Sequence, residues 1–135
     1  MSFLSRLFKR KENKQVVEKT EGGTELTDFE KFFNDTPEIS EALKETMFLD
    51  PRKIDISIKD VVSKAKEMEK AKNPLRAAMW YRIAGGLAIY EGDSSKVLEY
   101  FGKYAKLTGR QLKILQIADE AVKKAQEYYK KYLKE

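Results

Sequence analysis

From Leu26 onward, apolar side chains recur at intervals of three and four residues, the repeat of a single helix face. Leu26, Phe29, Phe32 and Phe33 begin the pattern. Thr36-Pro37 then opens a segment in which Ile39, Leu43 and Met47 share a face. Proline suits a first helical position because its missing N–H would be unpaired there anyway. Two short amphipathic helices are therefore expected within residues 25–48. Asp50-Pro51 breaks the chain, and Ile54, Ile56 and Ile58 alternate as in a strand. A single strand has no ladder to join, so an extended connector is expected there.

Ser57 followed by Asp60 reads as a helix start, with Val61, Val62, Ala65 and Met68 as its buried stripe. Asn73-Pro74 supplies an N-cap and a first-turn proline. Leu75, Ala78, Met79, Ile83, Gly86, Leu87 and Tyr90 then predict a helix ending at Glu91-Gly92. Asp93 or Ser94 caps the next helix, whose core face is Val97, Leu98, Phe101 and Tyr104. Thr108 and Gln111 form a Thr-x-x-Gln capping-box pattern that predicts a final helix with the stripe Ile114, Ala118, Ala121, Ala125, Tyr128 and Tyr132. Lys130, Lys131 and Lys134 fall where the helix dipole favours positive charge. Four consecutive helices over residues 57–135, joined by loops of two to four residues, predict an all-α antiparallel bundle or right-handed helical stack.

Composition narrows the chemistry. The 135 residues contain no His and no Cys, which removes imidazole proton shuttles, thiolate nucleophiles, structural zinc and Fe–S clusters. No Gly-rich phosphate loop or nucleophile–base pair is present, and Glu67 and Glu69 point to different sides of a helix, so they form no carboxylate dyad. A non-enzymatic protein without a cofactor, a bound metal or a small-molecule substrate is expected. No apolar run is long enough to span a bilayer and Arg6 interrupts the opening apolar stretch, so a cytoplasmic location is expected. Lys and Glu dominate, a balance that resembles hyperthermophile proteins.

Charge is distributed unevenly. Residues 1–20 carry six basic and two acidic side chains, net +4, whereas residues 21–51 carry two basic and nine acidic, net −7. Residues 52–91 and 92–135 are each net +4, for +5 overall. Opposite blocks of this kind can pair internally, so the overall basicity says little about a polyanion partner. The polar stretch before Gly22-Gly23 buries too little to fold alone. Residues 1–24 are thus expected to be a basic tail and linker, and residues 25–135 a single helical domain.

Within residues 80–109, Trp80-Tyr81-Arg82-Ile83-Ala84-Gly85 leads through Tyr90-Glu91-Gly92-Asp93 to Glu99-Tyr100-Phe101 and Ala105-Lys106-Leu107. This run resembles one tetratricopeptide (TPR) helical hairpin, with Gly85 at the family's small position, Tyr81 at its helix-A aromatic and Phe101 at its helix-B aromatic. Ala88, Val97, Tyr104 and Gly109 depart from the family pattern. Residues 75–135, with Leu112 to Leu133 as a third helix, are also similar to the microtubule-interacting-and-transport (MIT) domain, which binds peptide tails in trafficking machinery. Both resemblances imply a helical protein-binding module, an adaptor or complex subunit, and neither implies catalysis. The same stripes also fit a helical bundle whose aromatic residues are simply core.

Three segments are candidates for contact with partners. At 100° per residue Phe3, Leu4, Leu7 and Phe8 share a face, with Arg6, Lys9 and Arg10 elsewhere and Lys11 following. This suits an amphipathic tail on an anionic membrane surface, each basic residue contributing about 1 kcal/mol. Docking of the same tail on the protein's own body or on a partner is the alternative. Leu26, Phe29, Phe32 and Phe33 resemble the peptide that inserts into the sliding-clamp pocket of replication factors, although Leu26 stands where that motif has glutamine. Arg76, Lys103, Lys106, Arg110 and Lys113 could form a polyanion face if packing brings them together. A protein partner is the leading expectation, and the alternative is an accessory subunit of a nucleic-acid-processing or ribonucleoprotein complex.

Overall fold

A computed structural model describes residues 27–133. The chain divides into two units at Phe32/Phe33, later than the composition shift near residue 24. Of the first unit the described part is Thr27–Phe32, which contains helix α1 (Asp28–Phe32). Thr27 N–H donates to Glu30 Oε1 at 2.9 Å while Glu30 N–H donates to Thr27 Oγ1 at 3.0 Å. This reciprocal pair satisfies N–H groups that a helix start leaves without partners.

The second unit contains helices α2 (Pro37–Thr46), α3 (Ile58–Lys70), α4 (Pro74–Glu91), α5 (Ser94–Thr108) and α6 (Ala118–Tyr132). Short 3₁₀ turns occupy Pro51–Lys53 and Lys113–Leu115, and no strand occurs among the described residues. The fold is all-α. Three helix starts are capped as the sequence predicts: Ser57 Oγ accepts from Asp60 N–H, Asn73 Oδ1 from Arg76 N–H and Asp93 Oδ1 from Lys96 N–H. Each such cap is typically worth about 1 kcal/mol. Gly92 and Gly109 take the left-handed conformation (φ 77° and 74°) that closes α4 and α5.

Helix α4 is the centre of this unit and packs against α3 on one side and α5 on the other, with α6 and α2 covering it further. Its glycines make that placement feasible. A Cβ on Gly85 would fall 2.5 Å from the buried Phe101 ring of α5, and one on Gly86 would collide with Phe48 from the α2–α3 connector. Around α3 the core gathers Val61, Ala84 and Leu87, with Phe48, Ile54, Ile56 and Trp80 packed against them. Burying one Val or Leu side chain stabilises by roughly 1.5–3 kcal/mol, so this cluster fastens the connector to the helices.

Several expectations are corrected. Leu75 and Met79 are 70% and 56% exposed, Tyr90 is 37% exposed, and the buried residues of α4 are Ala77, Ala78, Tyr81 and the run Ala84–Ile89. A helix surrounded by neighbours is apolar all round and shows no single face to read. Leu98 is 44% exposed while Val97, Phe101 and Tyr104 are buried. Thr108 does not cap a following helix. It is the last residue of α5, and its hydroxyl donates to Tyr104 O at 2.8 Å, while Oγ1 accepts from Arg110 N–H. Residues 109–117 consequently form a longer connection than the two to four residues expected. The last helix begins at Ala118, not near Leu112.

Helix α6 lays Ala118, Ala121, Val122, Ala125, Tyr128 and Tyr129 into the core. Phe33 meets the Tyr128 ring at 5.7 Å. Gln126 donates through Nε2 to both Ile89 O and Tyr90 O, at 2.7 and 2.8 Å, and so covers carbonyls at the end of α4. Tyr129 donates its hydroxyl proton to Phe48 O at 2.8 Å. At the C-terminal end of α6, Arg52 holds Asp50 and donates to Leu133 O at 3.2 Å, a cation placed where the helix dipole is negative.

Candidate functional site

Lys59, Ser63 and Lys66 recur at four and three residues, which puts them on one face of α3. Lys96 and Tyr100 stand one turn apart on α5. These five residues, with Ile58 and Val62 contributing apolar surface, line a groove of about 520 Å³ between the two helices. Among the described residues no carboxylate lines it. Lys96 Nζ lies 3.9 Å from Glu91 Oε1, the outer limit of an ion pair. Burial first, then the neighbouring Glu99 charge, holds the Tyr100 phenol above its ordinary value.

The wall behind Tyr100 is an aromatic and charged stack. Tyr100 stacks on Tyr81 with ring centroids 6.4 Å apart, and Lys103 Nζ lies 5.5 Å from the Tyr81 centroid. Tyr81 donates its hydroxyl proton to Glu69 Oε1 at 2.6 Å. Its own deprotonation is pushed far up, chiefly by burial and next by that carboxylate. The stack therefore ties α3, α4 and α5 together through a side chain that is 1% exposed.

A second concavity, about 380 Å³, lies where the end of α2 meets α4, α5 and the connection after Gly109. Glu45 and Thr46, Arg82, Phe101 and Tyr104, and Arg110, Gln111 and Leu112 line it. Arg82 Nη2 donates to Glu45 O at 2.8 Å, and Arg110 Nη1 reaches the Tyr104 hydroxyl at 3.4 Å.

The residues expected to form a polyanion face are therefore divided. Arg110 joins Arg82 in this cleft. Lys113 is held by Glu41 at 2.9 Å, an exposed pair whose hydrogen bond lowers the glutamate pKa and raises that of the lysine. Lys103 lies over Tyr81, while Arg76 and Lys106 are exposed at the same end of the α4/α5 hairpin. In the clamp-like segment Phe29 and Phe33 are buried and Phe32 is half-buried. Leu26 and the tail residues Phe3, Leu4, Arg6, Leu7, Phe8, Lys9, Arg10 and Lys11 lie outside the described residues.

Sequence reasoning missed the groove lysines, Arg82 and Gln111. Lys59, Ser63 and Lys66 carry a legible one-face signal on α3, but nothing in the sequence places Lys96 opposite them. Among the described residues no group of three or more Asp, Glu, His or Cys side chains could hold a metal ion. No helix among them is long and apolar enough to cross a membrane. Compared with protein-family models, with curated proteins and with solved structures, the chain matches none.

Proposed function

We propose that this chain is a non-enzymatic helical module for protein–protein interaction, and that the groove between α3 and α5 receives an acidic segment of a partner protein. The observation that supports this reading is the lining: ammonium groups of Lys59, Lys66 and Lys96 beside the apolar strip of Ile58 and Val62, without a carboxylate among the described residues. A segment with alternating acidic and apolar side chains matches both features. Lysine's flexible stem tolerates variation in where the carboxylates fall.

The test is fluorescence anisotropy of the full chain with a labelled twelve-residue peptide alternating Glu and Leu. Lys59→Glu with Lys66→Glu is expected to weaken binding by more than about tenfold, since hydrogen bonds to charged groups contribute about 1.5–3 kcal/mol each. The melting temperature should hold, because both lysines are exposed. Binding that ignores these substitutions, or none at millimolar peptide, overturns the reading.

The same lysines beside Tyr100 favour one second reading, an accessory subunit of a nucleic-acid complex. A twelve-nucleotide single strand is the parallel probe. If it binds more tightly than the peptide, and its affinity falls linearly with the logarithm of salt concentration, the nucleic-acid reading replaces the first. The basic tail carries a separate proposal of reversible hold on an anionic membrane surface. Phe3→Glu with Phe8→Glu is then expected to abolish sedimentation with phosphatidylserine vesicles at unchanged melting temperature, and vesicle binding that persists overturns it.

A further inference from the structure

The cleft between α2, α4, α5 and the connection after Gly109 holds two guanidinium groups that no carboxylate among the described residues pairs. Arg52 is bound by Asp50 and Lys113 by Glu41. Neither Arg82 nor Arg110 has a carboxylate within ion-pair distance among the described residues. Each spends one donor on a neutral oxygen, Arg82 on Glu45 O and Arg110 on the Tyr104 hydroxyl. A guanidinium has five donors in a planar fork, so most of the fork on each remains available.

The backbone positions both groups. Gly109, at φ 74°, turns the chain at the end of α5 so that Arg110 and Gln111 return over Phe101 and Tyr104. Arg82 projects from the middle of α4 and is steadied by the last turn of α2. The two arginines thus come from elements that pack independently of any ligand. Gln111 adds a side-chain amide donor to the same cleft. At about 380 Å³ the space falls in the range of small-molecule sites.

We propose that this cleft is a binding site for the oxyanion group, phosphate or carboxylate, of a small molecule, held between Arg82 and Arg110 with Gln111 as a third donor. Planar forks recognise both anions through paired N–H donors. Glu45 also lines the cleft, and its carboxylate opposes an anion, so the net charge of the lining is set by two arginines against one glutamate. The site is independent of the α3/α5 groove, and the two share no lining residue.

The experiment is a titration of the full chain with inorganic phosphate, glycerol 3-phosphate and succinate, followed by the side-chain N–H resonances of arginine and glutamine. Saturable shifts confined to Arg82, Arg110 and Gln111 are expected, and the stronger of the phosphate and succinate arms identifies the anion. Arg110→Gln should weaken binding by about tenfold or more and leave the fold intact, because Arg110 is exposed and its side-chain bond is long. Arg82→Lys keeps the charge but loses the fork and should also weaken it. Glu45→Gln should tighten binding by removing the opposing charge, and Lys64→Gln, at an exposed position that lines neither concavity, should leave it unchanged. Shifts that do not saturate, that spread over the basic surface, or that persist in Arg110→Gln overturn the proposal.

Discussion

Helix α4 passes through two environments. In its first half, Leu75 and Met79 face solvent while Ala77, Ala78 and Tyr81 face inward. In its second half every residue from Ala84 to Ile89 is buried, because α3, α5, α6 and the Phe48 connector surround it. One helix therefore carries both an ordinary two-faced stretch and a stretch with no outward face. The difference shows why small residues concentrate in the second half: Ala84, Gly85, Gly86 and Ala88 let neighbours approach on several sides at once.

The largest expected effect tests that crowding directly. Ile89→Ala, at a position with 0% exposure, should cost about 2–5 kcal/mol in denaturant unfolding, whereas Leu75→Ala should stay within about 0.5 kcal/mol. Next, Gly85→Ala should cost about 1–3 kcal/mol by overpacking, offset by up to about 1 kcal/mol of gained helix propensity. Phe101 in the same chain changed to Leu should relieve part of it. Gly86→Ala should cost less, since Phe48 is only partly buried and can shift where Phe101 cannot. Equal costs for the two alanines would break the comparison between their neighbours.

Smaller effects sharpen the cover over the second half. Tyr129 packs edge-on against Tyr90, with ring centroids 5.1 Å apart, and donates to Phe48 O. Tyr129→Phe should lose about 1–2 kcal/mol, because the bond is removed and a partly buried carbonyl is left without its donor. Burial, then the neighbouring tyrosines Tyr128 and Tyr90, raises the Tyr129 pKa above its ordinary value of 10.0. A raised folded value means that the native state holds the proton more tightly than the unfolded chain. The stabilisation is therefore complete below pH about 10 and declines as pH rises from there toward the raised folded value. Tyr129→Phe should flatten that alkaline decline in a pH series of melting curves. The smallest effect is expected for Leu75→Lys with Met79→Lys, within about 0.5 kcal/mol per site. A large loss there would mean that the first half of α4 is covered too.

The capped helix starts were legible because a cap is local chemistry. Ser57, Asn73 and Asp93 each accept from an N–H three residues on, whatever packs nearby. The same local reasoning failed at Thr108, where the motif Thr-x-x-Gln is present but Gly109 turns left-handed and ends α5 instead. The basic residues were legible as a set and illegible as a site. Arg110 was singled out for a polyanion face with Lys113, yet tertiary packing pairs Lys113 with Glu41 and sets Arg110 beside Arg82.

Sequence alone determined that this protein is all-α, where three of its helices start, and that the turn at Gly92-Asp93 folds α4 back on α5. Periodicity, caps and glycine punctuation act within one or two turns and need no distant partner. Only the tertiary structure decided which residues of α4 are core and which lysines share a groove. It alone brought Arg82 and Arg110 to one cleft. Those outcomes depend on side chains far apart in the chain meeting across packed helices, and no local pattern encodes the angle and register at which they meet.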